Sequence, residues 1–286
     1  MAIVAVLGAA LAASMLARRT PHGATRHLRV VSLSPNTTEI LFAIGAGGDV
    51  VGVTASCDYP PEARSVTRIG GYGCPNAEKI LALRPDVVVG AGEGMGALPA
   101  VRLLVQRGIP VRLFEHESFG AILELTRRLG EATGRQENAR RLVASLSARL
   151  AALDERTRNV PEAKRPRVYV EVWNDPIMSI GSHSFITELV RRAGGASVTA
   201  DLPGDYPRVA PELVVERDPQ VILTGYMNDP AQAAAVARRI GWGRVAAARD
   251  GRIITDIDPD LLLRPGPRLV DGAEQLFRRL YPEGAP

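Results

Sequence analysis

Several residue types are scarce in this 286-residue chain, and each scarcity excludes a kind of function. The two cysteines and four histidines are too few for a metal domain rich in either residue. Lysine occurs only twice and the net charge is +4, with arginines scattered along helical segments, so no basic surface of the nucleic-acid-binding kind is present. Neither a Gly-x-Ser-x-Gly sequence nor a P-loop occurs, which removes two common enzyme motifs. With 46% hydrophobic and 23% charged residues, the composition is that of a globular protein large enough for two domains.

The longest apolar run lies at the N-terminus, where residues 3–17 read IVAVLGAALAASMLA. It is short for a membrane-spanning helix, which needs about 20 residues, but it has the length of a secretory hydrophobic region. No positively charged residue precedes it, whereas Ala-x-Ala-like sites occur within it. We therefore expect residues 1–27 to form an export leader, either cleaved or retained as an anchor.

The only two cysteines, Cys57 and Cys74, are 17 residues apart. In an oxidising compartment such a pair can form a disulfide. Two separate thiols are the alternative, and the sequence leaves both open.

Two stretches of the chain, 134 residues apart, repeat one pattern. In each, a tyrosine precedes a glutamate by six residues, a short helix-like segment follows, and a proline comes before an apolar strand. The tyrosines are Tyr72 and Tyr206, and the glutamates are Glu78 and Glu212. This spacing is too wide for a solenoid and indicates two similar lobes. Both glutamates fall in the first turn of a helix, where the helix dipole favours a carboxylate on structural grounds alone.

Apolar strands alternate with helical segments throughout, which is typical of mostly parallel sheets covered by helices on both faces. We predict an α/β fold with a first lobe over residues 28–134 and a second, similar lobe over residues 161–286. Between them, residues 135–160 have leucines at three- and four-residue steps, as in an amphipathic helix. A helix of that length spans roughly 36 Å, enough to join two lobes as a rigid connection.

The first strand, over residues 28–33, is followed by Asn36 and Glu39 at the spacing of a capping box. This spacing predicts a helix over residues 37–44 that ends at Gly45. The Thr-Glu pair at positions 38 and 39 recurs at positions 187 and 188, so the second lobe repeats the opening helix of the first.

Aromatic residues are only 5% of the chain, yet several follow predicted strands. Ligands of open α/β sheets bind outside the carboxyl ends of strands, so these side chains are candidates for a ligand clamp between the lobes. The residues concerned are Tyr59, Tyr72, Trp173, Tyr206 and Tyr226. Asp260 and Arg264 lie in a loop after a late strand and could bind amide or phosphate groups. For each residue, packing on its own lobe or simple solvation is the alternative.

Two other functions leave weaker traces in the sequence. Gly92, Gly94 and Ala97 have the spacing of a dinucleotide fingerprint, with Glu115 and Glu117 as loosely spaced acidic partners. However, this motif follows the third predicted strand of its lobe and not the first. The histidines outside the leader, at positions 116 and 183, are isolated, so we expect no metal site and no catalytic cofactor.

Four segments resemble one known family, the helical-backbone class of periplasmic substrate-binding proteins. They are VVSLSP at 30–35 with the Thr-Glu pair, CDYPP at 57–61, NAEKILALRPD at 76–86 and RPGPR at 264–268. Within the class, the chain is most similar to proteins that bind vitamin B12 (cobalamin). The resemblance covers about residues 28–281. Ferric siderophore and haem binders share the fold and several of these motifs, and they are the alternative.

The resemblance implies a periplasmic, monomeric, non-catalytic protein that holds a corrinoid between two lobes. Tyr59, Tyr72 and Tyr206 match aromatics that line the corrinoid cleft in this family, although tryptophan stands at two of these positions in its best-known member. Asp260 and Arg264 match a polar pair that contacts the ligand.

The resemblance also assigns a partner. Glu78 and Glu212 match the two glutamates, one per lobe, that dock onto arginines of the permease dimer of an ABC transporter. One departure concerns residues 90–92, which read GAG and supply no aromatic where a close relative has one. This departure implies a roomier cleft. Because the helix that connects the lobes is stiff, we also expect little closure of the lobes.

Overall fold

A computed structural model describes residues 28–92, 94–114, 118–226 and 233–284. The predicted leader over residues 1–27 lies outside these ranges, as do Glu115, His116 and Glu117. Within them the chain forms two α/β lobes, as the sequence predicted. Of the described helices, none is both long and apolar enough to cross a membrane.

The first lobe contains a four-stranded sheet in which all neighbours are parallel. In spatial order its strands are β2 (Val50–Val53), β1 (Val30–Ser32), β5 (Val87–Ala91) and β6 (Val111–Phe114). Strand β5 is buried along its whole length, as expected for a parallel strand covered on both faces. The remaining elements are α1 (Pro35–Ala43), the hairpin β3 (Gly70–Gly71) and β4 (Cys74–Pro75), α2 (Ala77–Ala82) and α3 (Pro99–Gln106).

The second lobe repeats this plan with one antiparallel addition. Its spatial order is β11 (Ile253–Ile254), β10 (Val221–Thr224), β7 (Arg167–Asn174) and β8 (Ile177–Ser179), and β9 (Ala196–Ser197) also pairs with β7. Only the pairing of β7 with β8 is antiparallel. The helices are α6 (Phe185–Arg192), α7 (Pro211–Arg217), α8 (Ala233–Ala237), α9 (Ala246–Arg249), α10 (Pro259–Leu263) and α11 (Leu269–Leu280). Short 3-10 helices cover Gly47–Asp49, Pro61–Ser65, Met95–Ala97, Glu162–Lys164 and Trp242–Arg244.

Two helices, and not one, pass between the lobes. The long helix α5 (Gln136–Thr157) places Ala139 in the core of the first lobe and Leu146 in that of the second. Helix α4 (Phe119–Thr133) runs the other way, with Ile122 in the second core and Leu125 in the first. The two are joined at a left-handed turn at Gly134 and pack along their length. The sequence pattern had predicted α4 as part of the first lobe alone.

The capping box predicted at the first helix is wrong. Helix α1 begins two residues earlier than predicted, at Pro35, whose missing N–H suits the first helical position. Its N-cap, Ser34, makes no side-chain capping bond, and Asn36 lies inside the helix. Glu39 is bonded to arginines of the second lobe instead.

The disulfide that the sequence left open is not formed. Cys57 is buried in the core of the first lobe, where its sulfur lies 3.1 Å from the Thr54 hydroxyl oxygen. Cys74 is exposed on the β3–β4 hairpin. The two thiols therefore point into different environments, and both are free.

Candidate ligand-binding site

A cavity of about 340 Å³ lies between the lobes, with walls from both of them. The first lobe contributes residues at or just after the carboxyl ends of β1, β2 and β5, which is where open parallel sheets bind ligands. These residues are Pro35, Asn36, Ser56 and Ala91, and Tyr72 joins them from the turn of the β3–β4 hairpin. The second lobe contributes Phe185, Tyr206, Asp260, Leu263, Arg264 and Pro265.

The first wall is held in place by bonds between strand ends. The Ser34 hydroxyl accepts a hydrogen bond from the backbone N–H of Ala91 at 3.0 Å, which joins the loop after β1 to the end of β5. The Tyr72 hydroxyl donates to the Ala91 carbonyl at 3.4 Å and so leans over the same strand end. Tyr72 nevertheless keeps 40% of its surface exposed toward the cleft.

The opposite wall is apolar and aromatic. Phe185 is the first residue of α6, and the Ser184 hydroxyl caps this helix by accepting from the Ile186 N–H at 3.3 Å. Tyr206 stands beside it and is also 40% exposed. Burial raises the pKa of Tyr206 to about 12 and raises that of Tyr72 as well. Both phenols therefore stay protonated at neutral pH and can donate hydrogen bonds.

Charged side chains from the two lobes meet at one side of the cavity, in a cluster that we term the inter-lobe clasp. The Glu39 carboxylate accepts from Arg264 Nη1 at 2.9 Å and from Arg268 Nη2 at 2.6 Å and Nε at 3.1 Å. Arg264 Nη1 also lies 3.0 Å from Asp58 Oδ1, and its Nη2 lies 2.8 Å from Asp260 Oδ2. The clasp thus consists of Glu39, Asp58, Asp260, Arg264 and Arg268.

The local sequence explains how two arginines reach one carboxylate. Between Arg264 and Arg268 the chain reads Pro-Gly-Pro, which turns the backbone against α1. A side-chain carbon at Gly266 would stand only 3.3 Å from Glu39 Oε2, so the small residue permits the close approach. This geometry brings both guanidinium groups onto Glu39.

The ion pairs of the clasp outweigh the effect of burial on the pKa values of Arg264 and Asp58. Burial acts to lower the pKa of Arg264, but its hydrogen bond to Glu39 and the charge of Asp260 outweigh this effect, and the pKa is raised. Burial likewise acts to raise the pKa of Asp58, but the hydrogen bond from Arg264 outweighs it and holds that pKa below its usual value. Three carboxylates and two guanidinium groups meet in the clasp. Arg64 lies outside it, on the solvent side, and donates to the Asp58 carbonyl at 3.1 Å.

Of the seven ligand-binding candidates named from the sequence, four line the cavity, namely Tyr72, Tyr206, Asp260 and Arg264, whereas Tyr59, Trp173 and Tyr226 do not. Tyr59 does not line it; the residue is 41% exposed, and the Arg268 guanidinium carbon lies 3.7 Å from its ring centre. Trp173 does not either. It is 52% exposed, its indole N–H donates to the Asp175 carbonyl at 2.9 Å, and its ring contacts Tyr226.

The sequence analysis missed the neutral residues of the cavity. Asn36 and Ser56 follow strands β1 and β2, so the strand-end rule would have found them had it been applied beyond aromatic and charged residues. Phe185 gave no such signal, since it occupies the first position of a helix. Leu263 lies beside the predicted Arg264 and faces the same cavity.

Beneath the exposed ring of Trp173, strand β7 buries a charged residue completely. Glu171 is 0% exposed, and Arg239 donates to both of its oxygens, at 2.6 and 2.9 Å. The Tyr226 hydroxyl also donates to this carboxylate. Arg239 in turn covers the buried ring of Trp242, with its guanidinium carbon 4.8 Å from the ring centre. This network fixes the carboxyl end of β7 next to the cleft.

The repeated glutamates occupy matching exposed positions. Glu78 is in the first turn of α2, whose N-cap Asn76 accepts from the Lys79 N–H at 2.9 Å. Glu212 is in the first turn of α7, which begins at Pro211. Neither carboxylate is bonded to another described residue, so both are available to a partner.

The geometry offers little to a nucleotide. Gly94 adopts a left-handed conformation and leads into the 3-10 helix Met95–Ala97, and the preceding strand β5 is not the first of its sheet. A dinucleotide site needs an α-helix directly after the turn of the first strand. Among the described residues, no group of three or more His, Cys, Asp or Glu side chains could hold a metal ion.

Comparison with known proteins is consistent with this architecture. The profile of a family described as periplasmic binding protein matches residues 30–260. The chain is 34% identical over 258 residues to an uncharacterised ABC transporter substrate-binding lipoprotein, YvrC, of Bacillus subtilis, covering 89% of this chain and 80% of that one. It is 29% identical to the vitamin B12-binding protein of Pectobacterium carotovorum, covering 88% of each chain.

Solved structures share the fold over nearly their whole length. The haem-binding protein RhuT from Roseiflexus sp. RS-1, in its apo form, superposes with a TM-score of 0.79 at 29% identity, covering 89% of this chain and 98% of that one. The vitamin B12-binding protein BtuF of Vibrio cholerae superposes with a TM-score of 0.74 at 26% identity, covering 88% and 96%. Two ligand classes thus occur among proteins of this shape.

Proposed function

We propose that this chain, which belongs to the periplasmic binding protein family, captures a corrinoid such as cobalamin between its lobes and delivers it to an ABC importer. Members of this family are solute-binding components of transport systems, so the chain is not an enzyme. Capture takes place outside the cytoplasmic membrane, where the importer's permease receives the ligand.

The observation that favours a corrinoid is the lack of a free cation at the cavity wall. Among the described residues, Arg264 is the only basic side chain that lines the cavity, and its donors are bonded to Glu39, Asp58 and Asp260. Haem carries two propionates that need positive partners, since a buried carboxylate without one is costly. A corrinoid presents a fringe of neutral amides, which can donate to Asp260 and accept from the Tyr206 hydroxyl.

The aromatic walls support the same assignment. Tyr72, Tyr206 and Phe185 offer faces on which a large, flat, partly apolar macrocycle is desolvated. A ferric haem would use a His, Cys or tyrosinate ligand. No described His or Cys lines the cavity, and burial keeps the phenol of Tyr206 protonated. The walls therefore suit stacking and hydrogen bonding better than iron ligation.

Calorimetric titration of the full chain with cyanocobalamin tests the proposal. We expect saturable binding with one site per chain, and tighter binding than that of hemin or a ferric hydroxamate measured by absorbance. The Tyr206→Ala variant should weaken the cyanocobalamin signal, which would assign it to this cavity. Binding of hemin or a ferric siderophore with no affinity for cyanocobalamin would contradict the corrinoid assignment and favour the other ligand classes of the family.

We further propose that Glu78 and Glu212 dock onto the permease. They are exposed, lack described partners and occupy the same position in the two lobes. A permease dimer with two-fold symmetry needs one contact per lobe at matching places. Exposed carboxylates of this kind mainly steer and orient association with basic partner residues.

Charge reversal separates docking from ligand capture. Glu78→Lys and Glu212→Lys should abolish ligand uptake by cells that carry the native importer, while the affinity of the purified protein for its ligand stays unchanged. Glu216→Lys is the matched control, because Glu216 is exposed on the same helix one turn beyond Glu212. Normal uptake by the double variant would contradict the docking role.

A further inference from the structure

The Thr-Glu pair that opens each lobe is a repeated motif to which the proposed function assigns no role. In the first lobe its glutamate, Glu39, is only 3% exposed and does not line the cavity. It nevertheless accepts three hydrogen bonds from Arg264 and Arg268, which lie 225 and 229 positions further along the chain. A carboxylate so deeply buried is stable only because these two charges surround it.

We propose that Glu39 determines the charge preference of the cavity by engaging both arginines of the clasp. Arg264 Nη1 is directed to Glu39, which leaves Nη2 to hold Asp260 Oδ2 at 2.8 Å, so the guanidinium that reaches the cavity wall is already paired with carboxylates. Glu39 thus acts as a positioning residue through Arg264. This inference rests on the proposed function, because it explains how the site favours a neutral ligand over an anionic one.

The charge balance of the clasp explains how Glu39 has this effect. With Glu39 ionised, the clasp contains three carboxylates for two guanidinium groups, so an incoming ligand carboxylate meets an excess of negative charge. Without that charge, Arg264 and Arg268 would face only Asp58 and Asp260. Guanidinium donors would then be free to bind a carboxylate of the ligand. Guanidinium groups bind carboxylates in a bidentate manner with high preference.

The second lobe provides a matched control. Glu188, the equivalent of Glu39, accepts from the backbone N–H of Phe119 at 3.2 Å and from Arg192 Nε at 2.9 Å. It therefore also joins its lobe to a crossing element, the start of α4. None of its described contacts involves a charged residue of the cavity. Substituting Glu188 therefore also removes a carboxylate that joins two elements, but it should not change the preference of the cavity for ligand charge.

The experiment compares two ligands that differ by one charge: cyanocobalamin and its monocarboxylate, in which one side-chain amide is hydrolysed. Wild type should prefer the neutral form. Glu39→Gln should reduce this preference roughly tenfold, equivalent to ~1.4 kcal/mol. Glu39→Asp, which keeps the charge, should retain the preference, and Glu188→Gln should leave it unchanged. Asp58→Asn also removes a carboxylate that pairs with Arg264 and should shift the preference in the same direction. Because Asp58 is half-exposed, this variant should fold even if Glu39→Gln does not.

The outcomes separate this inference from the proposed function. If Glu39→Gln and Asp58→Asn fold and change the affinity for both ligands equally, Glu39 has only a structural role and the inference is overturned. If wild type binds no corrinoid, the proposed function fails instead. The same variants are then titrated with hemin and with its dimethyl ester, which lacks the propionate charges, and an unchanged preference there overturns the inference as well.

Discussion

Arg239 offers a sharp test of the energetics of the second lobe, because it compensates a carboxylate that has no access to water. In Arg239→Met the side chain keeps much of its length and its contact with the Trp242 ring, but Glu171 loses both of its guanidinium bonds. Glu171 is 0% exposed, so water cannot replace them. The substitution thus isolates the loss of charge from the loss of packing.

The expected loss can be bounded from the structure. Removing one partner of a buried ion pair costs about 3–5 kcal/mol. The Tyr226 hydroxyl continues to donate to Glu171 after the change, which favours the lower end of that range. We therefore expect the free energy of unfolding to fall by about 3 kcal/mol, which corresponds to a melting temperature lower by on the order of 10 °C.

Urea unfolding followed by tryptophan fluorescence measures this loss, with the slope of the transition checked for a change in mechanism. Arg238→Met is the control, because Arg238 is exposed and adjacent on the chain, and it should change stability by less than about 0.5 kcal/mol. In the Arg239→Met variant, replacing Glu171 by methionine should recover part of the lost free energy of unfolding. If Arg239→Met costs no more than Arg238→Met, the pair does not stabilise the lobe and the assigned energetics are incorrect.

Three further outcomes follow from contacts in the structure. Tyr206→Ala should weaken ligand affinity by tenfold or more, at ~1.5–3 kcal/mol for a buried aromatic face, whereas Trp173→Ala, outside the cavity, should change it far less in the same titration. Arg149 lowers the pKa of Glu274 through a hydrogen bond, so the ionised carboxylate stabilises the fold at neutral pH. This contribution to stability is lost as the pH falls below about 4.5. The urea midpoint of Arg149→Met should therefore drop less between pH 7 and pH 3 than that of wild type. Gly266→Ala places a carbon 3.3 Å from a clasp carboxylate and should lower both ligand affinity and melting temperature, while alanine at an open position such as Gly48 should not.

The elements of the fold could be predicted because their signals are local. The run Val87–Val89 is apolar on both faces, and the alternation of such runs with helical segments determines a parallel sheet regardless of distant residues. The long amphipathic segment likewise identified α5. That α4 also crosses between the lobes was not predictable, because its apolar stripe has the same period whichever core it packs against.

The site was predictable only in part, because its geometry depends on contacts between residues far apart in the chain. Glu39 has the local spacing of a capping residue, yet its carboxylate bonds a partner 225 positions away. Tyr59 occupies a strand-end loop as predicted, but its ring contacts Arg268 and does not line the cavity. Local spacing predicts where a residue lies in an element, whereas the direction of its side chain depends on the partners that the fold brings near.

The pair of antiparallel helices between the lobes also bears on how a transporter could recognise a loaded protein. Any rotation that widened the cleft would have to shear the contact of α4 with α5 and break the ionic bonds on Glu39 at the same time. The spacing between Glu78 and Glu212 should therefore be nearly identical with and without cargo. A permease that measured only this spacing could not distinguish full from empty carriers, so discrimination would have to come from contact with the cargo itself at the mouth of the cleft.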